Sequence, residues 1–300
     1  MKSWPAIPQE AFDADMHQMP IQQSKSVEAQ MDAIEQFEHE RRENIAGLGQ
    51  DYILKDRAFQ WFQHSLQHKY SYNFSSLGRP IIQYPQDMVA IQELVWQIQP
   101  DLIIETGIAH GGSLILSASM LALIDYCEAV SSGQVLDPHT TQRRVLGIDI
   151  DIRPHNRAAI EAHPMSHRID MIQGSSIAAD VIAQVHHIAK AHQRILVILD
   201  SNHTHDHVLA ELEAYAPLTS PGSYCIVFDT VVEDLPDAMF PDRPWGKGNN
   251  PKTATWEYLR RLKEETRLAA DGAPLAFEID SALESKLLIT VAPDGYLRRV

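Results

Sequence analysis

Short apolar runs alternate with amphipathic stretches along most of this chain. Leu102–Ile104, Val145–Ile150, Ile169–Ile172, Ile195–Leu199 and Tyr224–Phe228 are rich in β-branched residues and too short for helices. The stretches between them carry helical spacing. That rhythm predicts βα units and a mostly parallel sheet. Ala276–Ile279 and Lys286–Val291 read as two final strands. The link Asp280–Glu284 is too short for a crossover helix, so an antiparallel C-terminal hairpin is expected. Upstream, Val27, Met31, Ile34 and Phe37 recur at helical spacing, with Gly47 and Gly49 closing the helix. A second helix is predicted from Tyr52 to His68. A third is predicted from Asp87 to Gln97, with Met88, Ile91, Leu94 and Val95 on one face. Residues 1–25 are polar, lack periodicity and are expected to be loosely ordered or to pack on a neighbour. The expected organisation is a tail and helical extension over 1–75 and an α/β domain over 76–300.

Charge and composition narrow the functional classes. A net charge of −15 with no basic block argues against nucleic-acid binding. Cys127 and Cys225 are too few for a disulfide framework and sit in apolar runs, which points to a reducing compartment. The N-terminus lacks an apolar signal core, and no run approaches the ~20 apolar residues that span a bilayer. A cytoplasmic protein without a transmembrane segment is the expectation. The N-terminal helices read either as a cap on the core or as an oligomer contact, and a homo-oligomer is expected.

Candidate chemistry gathers where the runs end, because open α/β sheets bind ligands at the carboxyl ends of their strands. The first run leads into Glu105-Thr-Gly107-Ile-Ala-His110-Gly111-Gly112-Ser113. There is no Lys for a phosphate-binding P-loop, and Glu105 stands where a dinucleotide motif has its first glycine. An acid there suits a cationic ligand, such as an amino group or a sulfonium. The second run ends at Asp149, placed to accept from a ribose diol, with Asp151 the weaker choice. The third ends at Gly174-Ser175-Ser176. Ser175 suits an adenine edge or a helix N-cap. The fourth and fifth end at Asp200 and Asp229, adjacent carboxylates that a hard cation such as Mg²⁺ would reconcile, with Thr230 a third oxygen. His203 is placed to act as general base. His203, His205 and His207 also raise a zinc hydrolase as an alternative. Residues 231–256, punctuated by Met239, Phe240 and Trp245, read as a lid.

Several motifs in order resemble a known family. They are Leu77-Gly78-Arg79-Pro80 with Gln83-Tyr-Pro85-Gln-Asp87, Glu105-Thr-Gly107 with His110-Gly-Gly-Ser113, and Gly147-Ile-Asp149-Ile-Asp151. Leu199-Asp200-Ser201 with His203, Pro244-Trp245-Gly246 with Gly248-Asn-Asn-Pro251, and Gly295-Tyr-Leu297 complete the set. Over residues 70–298 the chain resembles the family named after cephalosporin hydroxylase and rhamnosyl O-methyltransferase. The resemblance implies a Rossmann-like class I methyltransferase fold that uses S-adenosylmethionine (SAM), and methyl transfer rather than oxygen insertion. It implies a sugar or glycosylated natural product as acceptor, with Mg²⁺ assistance. Glu105, Gly107, Gly111, Ser113, Asp149 and Ser175 would hold SAM, and Asp200, Asp229 and Thr230 the metal. His203 matches the base of macrolide sugar O-methyltransferases. Two positions depart from related enzymes: Phe228 stands where the sugar enzymes have Glu, and Thr230 where the catechol type has Asn. A SAM-fold binding or assembly protein without catalysis is a further alternative.

Overall fold

The computed structural model describes residues 21–300, with side-chain surroundings from residue 32 onward. The polar segment 1–20, and the side chains of Val27 and Met31, lie outside the described residues. The chain divides into two units, 1–47 and 48–300. The first holds most of α1 (Ile21–Gln50). Residues 21–25 are therefore helical rather than loose, and Gly47 and Gly49 lie inside the last turns of this helix. Asp51 accepts from Leu54 N and caps α2 (Tyr52–Gln67), which belongs to the second unit.

The second unit continues with a small hairpin, β1 (Phe74–Ser76) and β2 (Arg79–Ile81). Then come α3 (Pro85–Ile98), β3 (Leu102–Thr106), α4 (Gly112–Ser132), β4 (Arg144–Asp149) and α5 (Pro154–Glu161). They are followed by β5 (Ile169–Gln173), α6 (Ala179–Ala189), β6 (Ile195–Leu199), α7 (His205–Tyr215), β7 (Tyr224–Val227) and α8 (Pro251–Glu264). The chain closes with β8 (Phe277–Ile279), α9 (Ser281–Leu287) and β9 (Tyr296–Arg299). The main sheet runs β5-β4-β3-β6-β7-β9-β8. Its first five strands are parallel, and β9 pairs antiparallel with both β7 and β8. This is the class I methyltransferase arrangement.

Alternating strand residues supply two cores, as expected for a parallel sheet covered on both faces. Ile103, Val145, Leu196, Ile198 and Ile226 face the side that holds α2, α3, α4 and α9. Leu102, Ile104, Leu146, Val197 and Val227 face α6, α7 and α8. Helix α4 is long and apolar enough to cross a membrane, which the count of apolar runs had not anticipated. Leu114, Ile115, Ala118, Leu121 and Ile124 bury one face of it against the sheet, as a core helix does.

The C-terminal pair is antiparallel as expected, but its second strand is Tyr296–Arg299 rather than Lys286–Val291. Asp280 accepts from Leu283 N and nucleates α9, where Leu283 and Leu287 bury one face at i, i+4 spacing. Leu288 at φ +57° then ends the helix.

The sheet order reverses between β3 and β6, where connections leave in opposite directions. The crevice outside the strand ends at such a switch point is where doubly wound sheets bind ligands.

Candidate active site

Glu105 and Asp200 meet at this switch point. Asp200 N donates to Thr106 O at 3.0 Å, which fastens the end of β6 to that of β3. Gly107, at φ +92°, has no room for a side chain: an added Cβ would lie 2.0 Å from Asp200 O. Gly111 and Gly112 likewise abut Ile160 and Pro80 O. These glycines thus allow protein segments to close on one another.

Glu105 is buried, and Ser113 Oγ donates to its Oε1. Its Oε2 is buried with no partner. Burial pushes Glu105 up to about 8, offset in part by the Ser113 hydroxyl and reinforced by Asp200. A buried carboxylate oxygen with nothing to accept is a fit for a cationic or hydrogen-bond-donating ligand.

The loop from Gly107 to Gly111 is tied by side chains. Ile108 N and Ala109 N donate to Asp149 Oδ2 at 2.8 and 3.3 Å, and Asp151 N donates to Oδ1 at 2.9 Å. Two successive N–H groups converging on one oxygen form an anion-binding concavity, here filled by Asp149 itself. Asp149 therefore shapes the loop. Ala109 holds φ +45°, a left-handed conformation that costs about 1–2 kcal/mol for a residue with a Cβ. Ser175 is half-buried at the end of β5. It is not the cap of α6, which is Ala178. Its neighbour Ser176 is buried, 3.0 Å from His207 Nε2.

Asp200, His203 and Asp229 converge, with one ligand atom from each lying within 4.8 Å of the others. His203 Nδ1 is 3.1 Å from Asp229 Oδ2, and Nε2 is 3.6 Å from Asp200 Oδ1. Burial alone would lower His203. The negative charges of Asp229 and Asp200 outweigh that and push it up to about 9. Burial in turn raises Asp200, with His203 opposing. The two carboxylates thus flank the imidazole and favour its charged form. Asp229 presents its carboxylate from a left-handed backbone, φ +56°.

Thr230 does not join this group: its hydroxyl donates to Pro293 O at 2.6 Å, and the residue is fully buried. Phe228 packs edge-on against Tyr296 in the core and offers no ligand. The three histidines do not converge either. His205 Nδ1 is 2.8 Å from Thr253 Oγ1, and His207 lies against Ser176 and Glu211.

The segment read as a lid is shorter than expected, since α8 begins at Pro251 under an Asn250 cap. Met239 and Phe240 pack on the core. Trp245 stands 4.9 Å from the His203 ring, with the Arg243 guanidinium 5.1 Å from its own centroid. Asn249 Nδ2 donates to Pro244 O, and His205 N donates to Asn249 Oδ1. The tryptophan therefore stands beside His203 in a segment tied by hydrogen bonds to the start of α7. Arg79 and Asn156, which bind the carbonyls of the glycine loop, had no role assigned from sequence. Arg79 lies in a family-like motif, but Asn156 carries no local signal.

The family model described as Rhamnosyl O-methyltransferase/CmcI matches residues 68–300. The chain belongs to this family. By family it is an enzyme, an O-methyltransferase. A rhamnosyl O-methyltransferase of Mycobacterium bovis is 29% identical over 217 residues, covering 71% of this chain and 73% of the relative. One of Mycobacterium leprae is 28% identical over 224 residues, covering 74% and 82%. Among solved structures, CmcI with Mg and SAM is similar at 16% identity and a TM-score of 0.46, covering 76% of this chain and 77% of that one.

Proposed function

We propose that this enzyme transfers the methyl group of SAM to a hydroxyl of a rhamnose unit or another glycosylated natural product, with Mg²⁺ at Asp200 and Asp229 and His203 as general base. The observation that carries this reading is the convergence of Asp200, His203 and Asp229 beside the glycine loop at the switch point. SAM would supply an electrophilic methyl on a sulfonium, and Mg²⁺ a charge that favours deprotonation of a hydroxyl. Both groups fit the residues present. Glu105 Oε2 is a buried acceptor without a donor, and the two aspartates bring carboxylate oxygens to one point with His203 between them.

Glu105, Gly107, Gly111, Ser113, Asp149 and Ser175 would hold SAM. Glu105 would face the positive part of the ligand, with Ser113 fixing its other oxygen. Asp149 would keep the loop N–H groups in place from the ribose side. His203 must be neutral to accept a proton, yet the bare carboxylates keep it charged at neutral pH. A divalent charge on Asp200 and Asp229 would remove that attraction and free the imidazole. His203 then takes the proton of the acceptor hydroxyl, while Trp245 keeps water from its outer edge. The working state proposed is a homo-oligomer, which a monomer mass by light scattering would remove.

His203→Ala tests the chemistry. SAM affinity by calorimetry should stay as in the wild type, while methyl transfer from labelled SAM to a panel of rhamnosides falls about 10²–10⁴-fold. Unchanged turnover would exclude His203 as the base. SAM binding without turnover of any acceptor by the wild type would favour a binding protein.

A further inference from the structure

Two side chains from outside the glycine loop grip its outward carbonyls. We propose that Arg79, seconded by Asn156, is a positioning residue for cofactor binding. It holds the loop after β3 in the shape that receives SAM, without touching the reacting atoms. This rests on the SAM reading above.

The loop needs holding. Gly107, Ala109 and Gly111 take φ values of +92°, +45° and +82°, so no regular ladder spans it, and one of the three is not glycine. Its inward N–H groups at Ile108 and Ala109 are collected by Asp149. Its outward carbonyls are collected from the other side. Asn156 Nδ2 donates to Ala109 O at 2.8 Å. Arg79 donates to His110 O from Nε at 3.0 Å and from Nη2 at 2.7 Å. Arg79 Nη2 also reaches Asn156 Oδ1 at 3.2 Å, which joins the two clamps.

Each clamp has a firm base. Asn156 is buried on α5. Arg79 starts β2, and the next residue, Pro80, sits so close to α4 that a Cβ on Gly112 would lie 2.2 Å from its carbonyl. The loop is thus gripped on both edges, N–H groups inward and carbonyls outward. Releasing the carbonyls lets Ala109 leave its left-handed conformation and turns the N–H groups off Asp149. The cost falls on SAM binding, because those groups sit beside Glu105 and Ser113. Lysine cannot reproduce the grip, since one ammonium lacks the planar fork that reaches a carbonyl and an amide oxygen together.

The test compares wild type, Arg79→Ala, Arg79→Lys and Asn156→Ala by three readouts. These are amide hydrogen exchange at Ile108, Ala109 and Gly111 without ligand, SAM affinity by calorimetry, and kcat and KM for SAM. Arg79→Ala should speed exchange at the loop and weaken SAM binding and KM by about 10- to 100-fold. Its kcat at saturating SAM should stay within about twofold of the wild type. Arg79→Lys should fall between. Unchanged exchange or unchanged SAM affinity in Arg79→Ala overturns the proposal. So does a fall in kcat with SAM affinity kept, which would place Arg79 in the chemistry. If Arg79→Ala does not fold, Asn156→Ala carries the same comparison at Ala109 O. A wild type that takes up no SAM overturns the functional reading and the clamp with it. A wild type that binds while the variants bind equally well overturns the clamp alone.

Discussion

Gly107 shows how a single side chain, or the lack of one, sets the site. Its φ of +92° and the 2.0 Å between a built Cβ and Asp200 O mean that alanine there must both strain the backbone and push β3 away from β6. We expect Gly107→Ala to lower stability by about 2–4 kcal/mol in urea denaturation and to abolish turnover, since Asp200 would shift relative to His203. Gly78 supplies the control. It has a similar φ, +88°, but nothing within 4 Å of a Cβ, so Gly78→Ala should cost only about 1 kcal/mol. Equal losses at both positions would show that the close approach carries no weight. At this scale the sequence was informative about residue type and less so about direction. Asp200, His203 and Asp229 were chosen because they follow apolar runs, and a strand end points its last residues into the crevice. Thr230 follows the same strand, but Pro293, distant in the chain, takes its hydroxyl. No local pattern carries that.

Among the elements, α3 has an unusual anchor. Asp87 lies in its first turn, fully buried, and accepts from Tyr296 OH at 2.7 Å, Val291 N at 3.1 Å and the Thr290 hydroxyl. It ties α3 to β9 and the segment before it. Burial pushes Asp87 from the ordinary 3.8 up to about 6, with those three donors opposing. The folded state therefore binds the proton more tightly than the unfolded chain, and stability falls as pH rises from about 4 to about 6. The shift corresponds to roughly 3 kcal/mol over that window. Asp87→Asn should remove this component, so the stability difference between wild type and variant should move in the variant's favour as pH is raised through the window in urea titrations. Parallel pH profiles would show that Asp87 does not titrate there. The same region marks the limit of reading elements from pattern. Ile195–Leu199 was legible to the residue, because a fully buried parallel strand is one apolar run bounded by polar residues. The run Leu287-Leu-Ile-Thr-Val looked like a strand for the same reason. Asp280 capping and the Leu283–Leu287 pair made its start the end of a helix instead.

For the whole molecule, function follows from where the sheet reverses. Placing β3 beside β6 brings residues about a hundred positions apart to one crevice, and the antiparallel β9 closes the far side of β7. The rhythm of runs was enough to expect a parallel sheet and its strand ends, hence the location of the site. The contacts that finish the site join distant parts of the chain. Arg79 reaches His110 O, Asn156 reaches Ala109 O, and Trp245 lies beside His203. Such pairings leave no periodic trace, so they became visible only in the fold. The measurement that tests the account most directly is calorimetric titration of SAM into the purified protein, with Mg²⁺ and again with chelator. The account predicts saturable binding in both conditions, since SAM is assigned to Glu105 and the glycine loop and the metal to Asp200 and Asp229, different side chains of one crevice. No binding in either condition would contradict it.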